Sequence, residues 1–215
     1  MTSGCGEHAP GGGRRPVGDR PLAYAPPVTV RPARPDDAPA MARVFVDYFH
    51  AGHRGQIPDW LIETRTYAAS ERGWRRNLDE LDDDPHPDRC LFLAEDPDGR
   101  VVGVTMGGPP KAWPADDAAG DARPTGELYA LYVDPGRWRR GVGRALFDAT
   151  AAWLAARGRR RLVAGVLAAN APARRFYEAA GGRWLGERVF EDEGVALDEA
   201  VYVWDELPGP GGARG

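Results

Sequence analysis

The chain has 215 residues, 42% of them hydrophobic and 28% charged, a size and balance that suit one globular domain with tails. A net charge of −4 gives no global basic field and argues against nucleic acid as a partner, and no run of about 18 apolar residues is present to cross a membrane. Cys5, Cys90 and the scattered His8, His50, His53 and His86 show no zinc spacing, so no metal is expected. With Cys5 in a tail, a structural disulfide is not expected and a reducing cytoplasm fits.

Residues 1–27 are rich in Gly, Pro and Arg, lack periodicity and lack the apolar core of a secretory signal; they read as a disordered leader. A short strand at 28–31 follows. Asp36 or Asp37 then caps a helix running to about Phe49. A second helical region spans about 59–81, interrupted at Gly73, with Trp60, Leu61, Tyr67, Trp74 and Leu78 on its apolar face. The apolar runs at 90–95 and 101–106, joined by Pro97-Asp98-Gly99, predict an antiparallel hairpin. Residues 109–126 read as a long loop, and 127–133 as a strand ended by Pro135. A helix from about Gly141 to Arg157 is expected to bury Val142, Ala145, Leu146, Ala149, Ala152, Trp153 and Ala156. Residues 162–168 form a buried strand, and 171–180 a helix stopped by Gly181-Gly182. Two closing strands, near 184–190 and 199–204, flank an acidic loop. Residues 208–215 read as a disordered tail. The sum is a single α/β domain over residues 28–207.

The most informative stretch is Leu131-Tyr-Val-Asp-Pro-Gly-Arg-Trp-Arg-Arg-Gly-Val-Gly-Arg144. A strand ends, a basic loop follows and a helix begins. Amides in the first turn of a helix have no intrahelical acceptor and carry the positive end of the dipole, so they suit phosphate. Gly141 and Gly143 permit close backbone approach. A Walker loop would need Lys-Ser/Thr where Arg144-Ala145 stand, and a dinucleotide fingerprint would need Gly in place of Leu146. A helix start ringed by solvated arginines is the plain alternative.

The second stretch is Asn170-Ala-Pro-Ala-Arg-Arg-Phe-Tyr-Glu-Ala-Ala-Gly-Gly182. Asn170 ends a strand and offers both donor and acceptor to an amide-rich ligand. Tyr177, two helical turns along, can protonate a leaving thiolate. Each residue also has a structural reading: Asn170 as a helix cap, Tyr177 as core.

The ordered set of these pieces resembles the GNAT superfamily of N-acetyltransferases, over about residues 28–207. The matching residues are Leu131-Tyr-Val-Asp-Pro135, Arg139-Arg-Gly-Val-Gly-Arg144, and Asn170 followed by Tyr177 in Phe-Tyr-Glu. The resemblance implies a mixed, mostly antiparallel sheet splayed between its fourth and fifth strands and flanked by helices. It implies acetyl-CoA as co-substrate. Leu131, Tyr132 and Val133 would then pair with the pantetheine arm. Arg139, Arg140, Gly141, Val142, Gly143 and Arg144 would hold the pyrophosphate, Asn170 would touch the CoA arm, and Tyr177 would be the general acid. Two departures stand out. Trp138 replaces the usual Gln or Arg of the loop. Gly165 stands five residues before Asn170, where relatives that acetylate protein N-termini often carry Glu, which removes one candidate base.

Attack on a thioester needs a neutral amine, while an aliphatic amine is mostly protonated at neutral pH. Glu127 is the candidate base, with an exposed strand-end carboxylate as its plain alternative. A backbone amide of 131–133 would polarise the thioester carbonyl. Cys90, in an apolar strand, is expected to be inert. The acceptor falls to the divergent parts: Phe49, His50, His53, Arg54, Tyr67, Trp74, the 109–126 loop and Glu191-Asp-Glu193. The expected activity is acetyl transfer to the amine of a small molecule, by a monomer or homodimer, with no nucleic acid or membrane partner. A protein-amine acetyltransferase, favoured by an open groove, and a non-enzymatic acyl-CoA-binding module are the alternatives.

Overall fold

The computed structural model describes residues 28–83, 88–111 and 123–207. The leader, the tail and most of the 109–126 loop lie outside these. Thr29–Pro32 forms β1 and pairs antiparallel with β2, Cys90–Glu95. β2 turns at Gly99, whose φ of 77° suits a residue without a Cβ, into β3, Val101–Gly108. β3 pairs with β4, Thr125–Val133. β5, Arg161–Leu167, follows β4 in the sheet, and β6, Arg183–Asp192, and β7, Val195–Trp204, complete the order β1-β2-β3-β4-β5-β7-β6. Every pairing is antiparallel except β4 with β5.

Helices cover both faces. α1, Ala38–Gly52, and α3, Tyr67–Asp82, put Met41, Val44, Trp74 and Leu78 against Leu91, Leu93, Val104 and Met106. On the opposite face lie α4, Val142–Ala156, and α5, Ala171–Ala179, with Phe147, Leu154 and Tyr177 packed on Leu128, Leu162, Tyr202 and Trp204. α4 seats closely because β3 offers glycine beneath it. A Cβ on Gly103 would stand 2.7 Å from Leu146, and one on Gly107 2.7 Å from Thr150.

Several expectations change. Asp37 does not cap α1 itself; its side chain accepts the Arg34 amide at 2.8 Å in a capping box on the short turn Pro35–Asp37 that leads into α1, and pairs with Arg31 at 2.7 Å. The helical region at 59–81 is two helices, α2, Asp59–Glu63, and α3, divided at 64–66 where Thr66 caps α3 through the Ala69 amide. Gly73 lies inside α3 and does not break it. On α4, Ala152 and Ala156 are exposed, while Phe147, Thr150, Ala151, Leu154 and Ala155 are buried. Alanine fits either face, and the bulky Phe147 and Leu154 decide which one turns inward. The expected acidic loop is a tight turn at Glu193-Gly194, both at positive φ (51° and 80°), so β6 and β7 form one long hairpin.

Candidate functional site

β4 and β5 hydrogen-bond only from Thr125 to Leu128 against Arg161 to Ala164. Beyond that point they part. Tyr129 is an extra residue in β4: Met106 faces Ala130 and Gly107 faces Leu128, so a bulge bends the strand there. The Asp134 amide bonds the Val102 carbonyl at 2.9 Å. Pairing alternates along an antiparallel ladder, so Tyr132 and Ala130 also spend their backbone groups on β3. Leu131 and Val133 therefore point theirs into the gap. Of the three expected backbone residues, Tyr132 contributes its ring instead, 5.0 Å from Phe45 and 5.2 Å from Tyr48. The Val133 carbonyl accepts from the Trp138 indole at 2.8 Å.

The basic loop is anchored at Asp134. Its carboxylate binds Arg43 at 3.0 Å, Arg100 at 2.9 Å and the Gly136 amide at 2.9 Å. Burial alone would raise its pKa; the Arg43 hydrogen bond, the Gly136 amide and the charges of Arg100 and Arg43 outweigh that and hold it below the ordinary aspartate range. Gly141 occupies the N-cap of α4 with φ of 82°, a left-handed conformation that glycine adopts without strain. Its carbonyl takes the Ala145 amide, and the amides of Val142, Gly143 and Arg144 are left in the first turn without intrahelical acceptors. Arg137 is tied to Asp96 at 2.6 Å and Arg144 to Asp148 at 2.8 Å. Arg139 and Arg140 are exposed and make no ion pair among the described residues.

Asn170 caps α5, its Oδ1 accepting from the Ala173 amide at 3.2 Å and its Nδ2 donating to the Tyr48 hydroxyl at 3.3 Å. Tyr177 is 7% exposed and packs on Tyr202 and Trp204. The structural reading of both residues is therefore true, and both also line the same cavity of about 290 Å³ at the mouth of the splay. Among the described residues the Tyr177 hydroxyl makes no hydrogen bond. Burial, with the neighbouring Tyr48, Tyr132 and Glu199, pushes its pKa far above the usual tyrosine value, so it keeps its proton.

The other wall of the cavity comes from Phe45, Tyr48, Phe49 and His53 of α1 and its end, and from Arg65, Phe190, Asp192 and Leu197. Arg65 binds Asp192 at 2.5 Å and Glu193 at 3.6 Å, and Leu197 of β7 packs with Ile57, Leu61 and Ile62. The β6–β7 hairpin is thus fastened onto α2. Among the expected acceptor residues, Phe49, His53 and Asp192 reach the cavity. Tyr67 bonds Asp47 on the surface, His50 contacts the Arg65 carbonyl, and Trp74 is core.

Residues 54–182 match the profile of the Acetyltransferase (GNAT) family. The uncharacterized N-acetyltransferase YuaI of Bacillus subtilis (strain 168) is 32% identical over 181 residues, covering 84% of this chain and 94% of that protein. The chain belongs to the GNAT family.

It is an acetyl-CoA-dependent N-acetyltransferase, moving an acetyl group to an amine. A mycothiol acetyltransferase of Acidothermus cellulolyticus is 33% identical over 196 residues; the match covers 84% of this chain but about half, 54%, of that relative. The fold is shared with a phosphinothricin acetyltransferase from Sinorhizobium meliloti in complex with AcCoA (TM-score 0.63, 19% identity, 87% and 93% of the two chains). It is also shared with the PaiA N-acetyltransferase of Thermoplasma acidophilum in complex with coenzyme A (TM-score 0.60, 15% identity, 81% and 98%).

Carboxylates of this acetyltransferase fall differently from expectation. Glu127 is not an exposed strand end: it is 6% exposed, and its Oε2 accepts the Lys111 amide at 2.6 Å. It is absent from the cavity lining, where Glu199 of β7 stands instead. Sequence reasoning did not single out Glu199, Tyr48 or Arg65, all three of which line the cavity. A Cβ on Gly165 would lie 2.2 Å from the Glu199 carboxyl carbon, so β7 fills the space that the glycine of β5 leaves open. The signal was the bare Gly165 itself, unreadable without knowing which strand lies beside it. Cys90 is buried, and burial pushes its thiol up to about 12, which disfavours the thiolate.

Proposed function

We propose that this enzyme acetylates the amine of a small molecule. One observation carries the reading: the β6–β7 hairpin, held by Arg65–Asp192 just past α2 and by Leu197 among Ile57, Leu61 and Ile62, walls the acceptor side of a cavity of about 290 Å³. A protein-amine acetyltransferase needs an open groove there. The mycothiol relatives, by their name, act on a small-molecule acceptor, which agrees.

Acetyl-CoA supplies the activated acetyl group. The residues present fit it. Val142, Gly143 and Arg144 amides, with the free charges of Arg139 and Arg140, hold the pyrophosphate. Leu131 and Val133 pair with the pantetheine amides, and an amide of this pair polarises the thioester carbonyl. Asn170 orders the wall by capping α5 and fixing Tyr48. Tyr177, held protonated by burial, donates to the departing sulfur. The enzyme works in a reducing cytoplasm, as monomer or homodimer, without nucleic acid or membrane. Among the described residues no helix is long and apolar enough to cross a membrane.

The test is a panel of small amines and peptides assayed with acetyl-CoA for released thiol, beside thermal shifts with acetyl-CoA. Turnover of a small amine is expected, with stabilisation by acetyl-CoA that Gly143→Asp weakens through charge repulsion. Turnover of peptides alone would overturn the acceptor class. Equal stabilisation of wild type and Gly143→Asp would place the pyrophosphate elsewhere.

A further inference from the structure

Four ionisable side chains that can take a proton stand at or near the cavity: Glu127, Asp192, His53 and Glu199. What separates them is position, with Asp192 also held through both oxygens. Glu127 sits outside the lining and spends an oxygen on the Lys111 amide. Asp192 accepts from Arg65 through both oxygens, at 2.6 and 2.5 Å. His53 stands at the far end of α1, its ring 4.4 Å from Phe49 and 5.3 Å from Tyr48.

Glu199 differs in position. Leu197 on its own strand faces α2, while Ala200 and Tyr202 face α4 and α5, so Glu199 belongs to the α2 side, where the acceptor cavity lies. It pairs in register with Leu167 of β5, and its carboxylate bends back over Gly165, one residue past the point where β4 and β5 part. That is the throat of the splay. Across the throat are the free backbone groups of Leu131, and the charge of Glu199 is felt at the Tyr177 hydroxyl. Arg188 of β6 donates to Oε2 at 2.5 Å and orients the group.

We propose that Glu199 is the general base of acetyl transfer, receiving the proton of the attacking amine. Starting from the neutral amine, nitrogen forms its bond to the thioester carbonyl carbon as one N–H proton passes to a Glu199 oxygen. The C–S bond breaks, its electron pair stays on sulfur, and sulfur takes the Tyr177 proton. A proton relayed through solvent from Glu199 to the Tyr177 phenolate resets both groups, leaving the acetylated amine and the CoA thiol. Gly165 is part of the device, since any side chain there would displace the carboxylate. The ionisable groups around Glu199 are Arg188 from β6, Glu127 from β4 and Tyr177 from α5, with His53, Arg65 and Asp192 on the same cavity. Burial raises the Glu199 pKa, Arg188 lowers it, Glu127 raises it again, and the net direction is upward, which strengthens it as a base.

The inference rests on the enzyme acting on an amine, whichever the amine. A wild type that turns over only a peptide ends the small-acceptor reading and leaves Glu199 to be tested on that peptide. The experiment is the pH profile of kcat/KM for wild type, Glu199→Gln, Arg188→Gln, Glu127→Gln and His53→Gln, with acetyl-CoA affinity measured on each. Glu199→Gln should lose about 10²-fold or more at neutral pH with acetyl-CoA affinity kept, and its acid limb should vanish. Arg188→Gln keeps the carboxylate without its cation, so its acid limb should move to higher pH. Moving the group, Glu199→Gly with Gly165→Glu, should recover at least about tenfold over Glu199→Gly alone. A purely structural ion pair predicts otherwise: Glu199→Gln and Arg188→Gln would lose stability alike and leave the limb in place, which overturns the proposal. So does an acid limb that survives in Glu199→Gln and disappears in Glu127→Gln or His53→Gln. If the relocated variant does not fold, the contrast between Glu199→Gln and Arg188→Gln decides.

Discussion

Tyr177 is almost fully enclosed, yet its hydroxyl spends no hydrogen bond on the described fold and opens onto the cavity. Removing that oxygen takes nothing from the packing of the ring on Tyr202 and Trp204. Tyr177→Phe should therefore leave stability and acetyl-CoA affinity nearly unchanged while the single-turnover rate falls about 10²-fold, because the proton is given only in the transition state. An unchanged rate with intact binding removes Tyr177 from the mechanism. At this scale the sequence was readable where chemistry and chain order coincide, as in Asn170 followed by Tyr177. It was unreadable where function depends on a neighbour distant in sequence. Glu199 stands 34 positions after Gly165, and only the β5–β7 register brings them together.

Among the elements, the strand–loop–helix of β4 and α4 was legible because its signals are local: an apolar run, Pro135, and Gly141 where a left-handed residue begins the helix. The break between α2 and α3 was not, since Thr66 was hidden among polar residues and Gly73 was the more obvious interrupter. The loop between β4 and α4 depends on Asp134, which joins α1 through Arg43 and the β2–β3 turn through Arg100. Asp134→Asn should cost about 2 kcal/mol at neutral pH, the worth of charge-assisted hydrogen bonds. The sign with pH follows from the depressed pKa: the carboxylate's contribution is present above the unfolded aspartate value and is lost as pH falls through the lower folded value. Urea midpoints of wild type and Asp134→Asn should thus lie apart at pH 7 and converge in acid. A gap of constant size across pH would show that the charge of Asp134 is not what holds the loop.

For the molecule as a whole, the donor half and the acceptor half are built by different rules. The donor half follows from backbone: the parting of β4 and β5, the bulge at Tyr129 and the first turn of α4. Such features leave short signatures in the chain. The acceptor half is made where α1, α2 and the β6–β7 hairpin meet, and its residues come from four separate stretches, so it was foreseen only as a region. The clasp between those stretches is Arg65, which carries Asp192 and Glu193 at the hairpin tip and lies 5.4 Å from the Phe49 ring. Arg65 is 21% exposed in its side chain, and among the described residues its side-chain hydrogen bonds and ion pairs go to Asp192 and Glu193, not to the groups assigned to acetyl-CoA. Arg65→Ala should therefore release the hairpin from α2 and loosen only the acceptor half. KM for the best small amine should rise roughly tenfold or more, as expected when an ordered binding wall becomes mobile. Acetyl-CoA affinity should hold, and longer amines or peptides excluded by the wild type should begin to react. Steady-state kinetics on a size series of amines, with an acetyl-CoA titration of the same preparation, reads all three. A variant with wild-type KM across the series would mean that the hairpin is held by Leu197 among Ile57, Leu61 and Ile62 alone, and that the charged clasp does not set acceptor size.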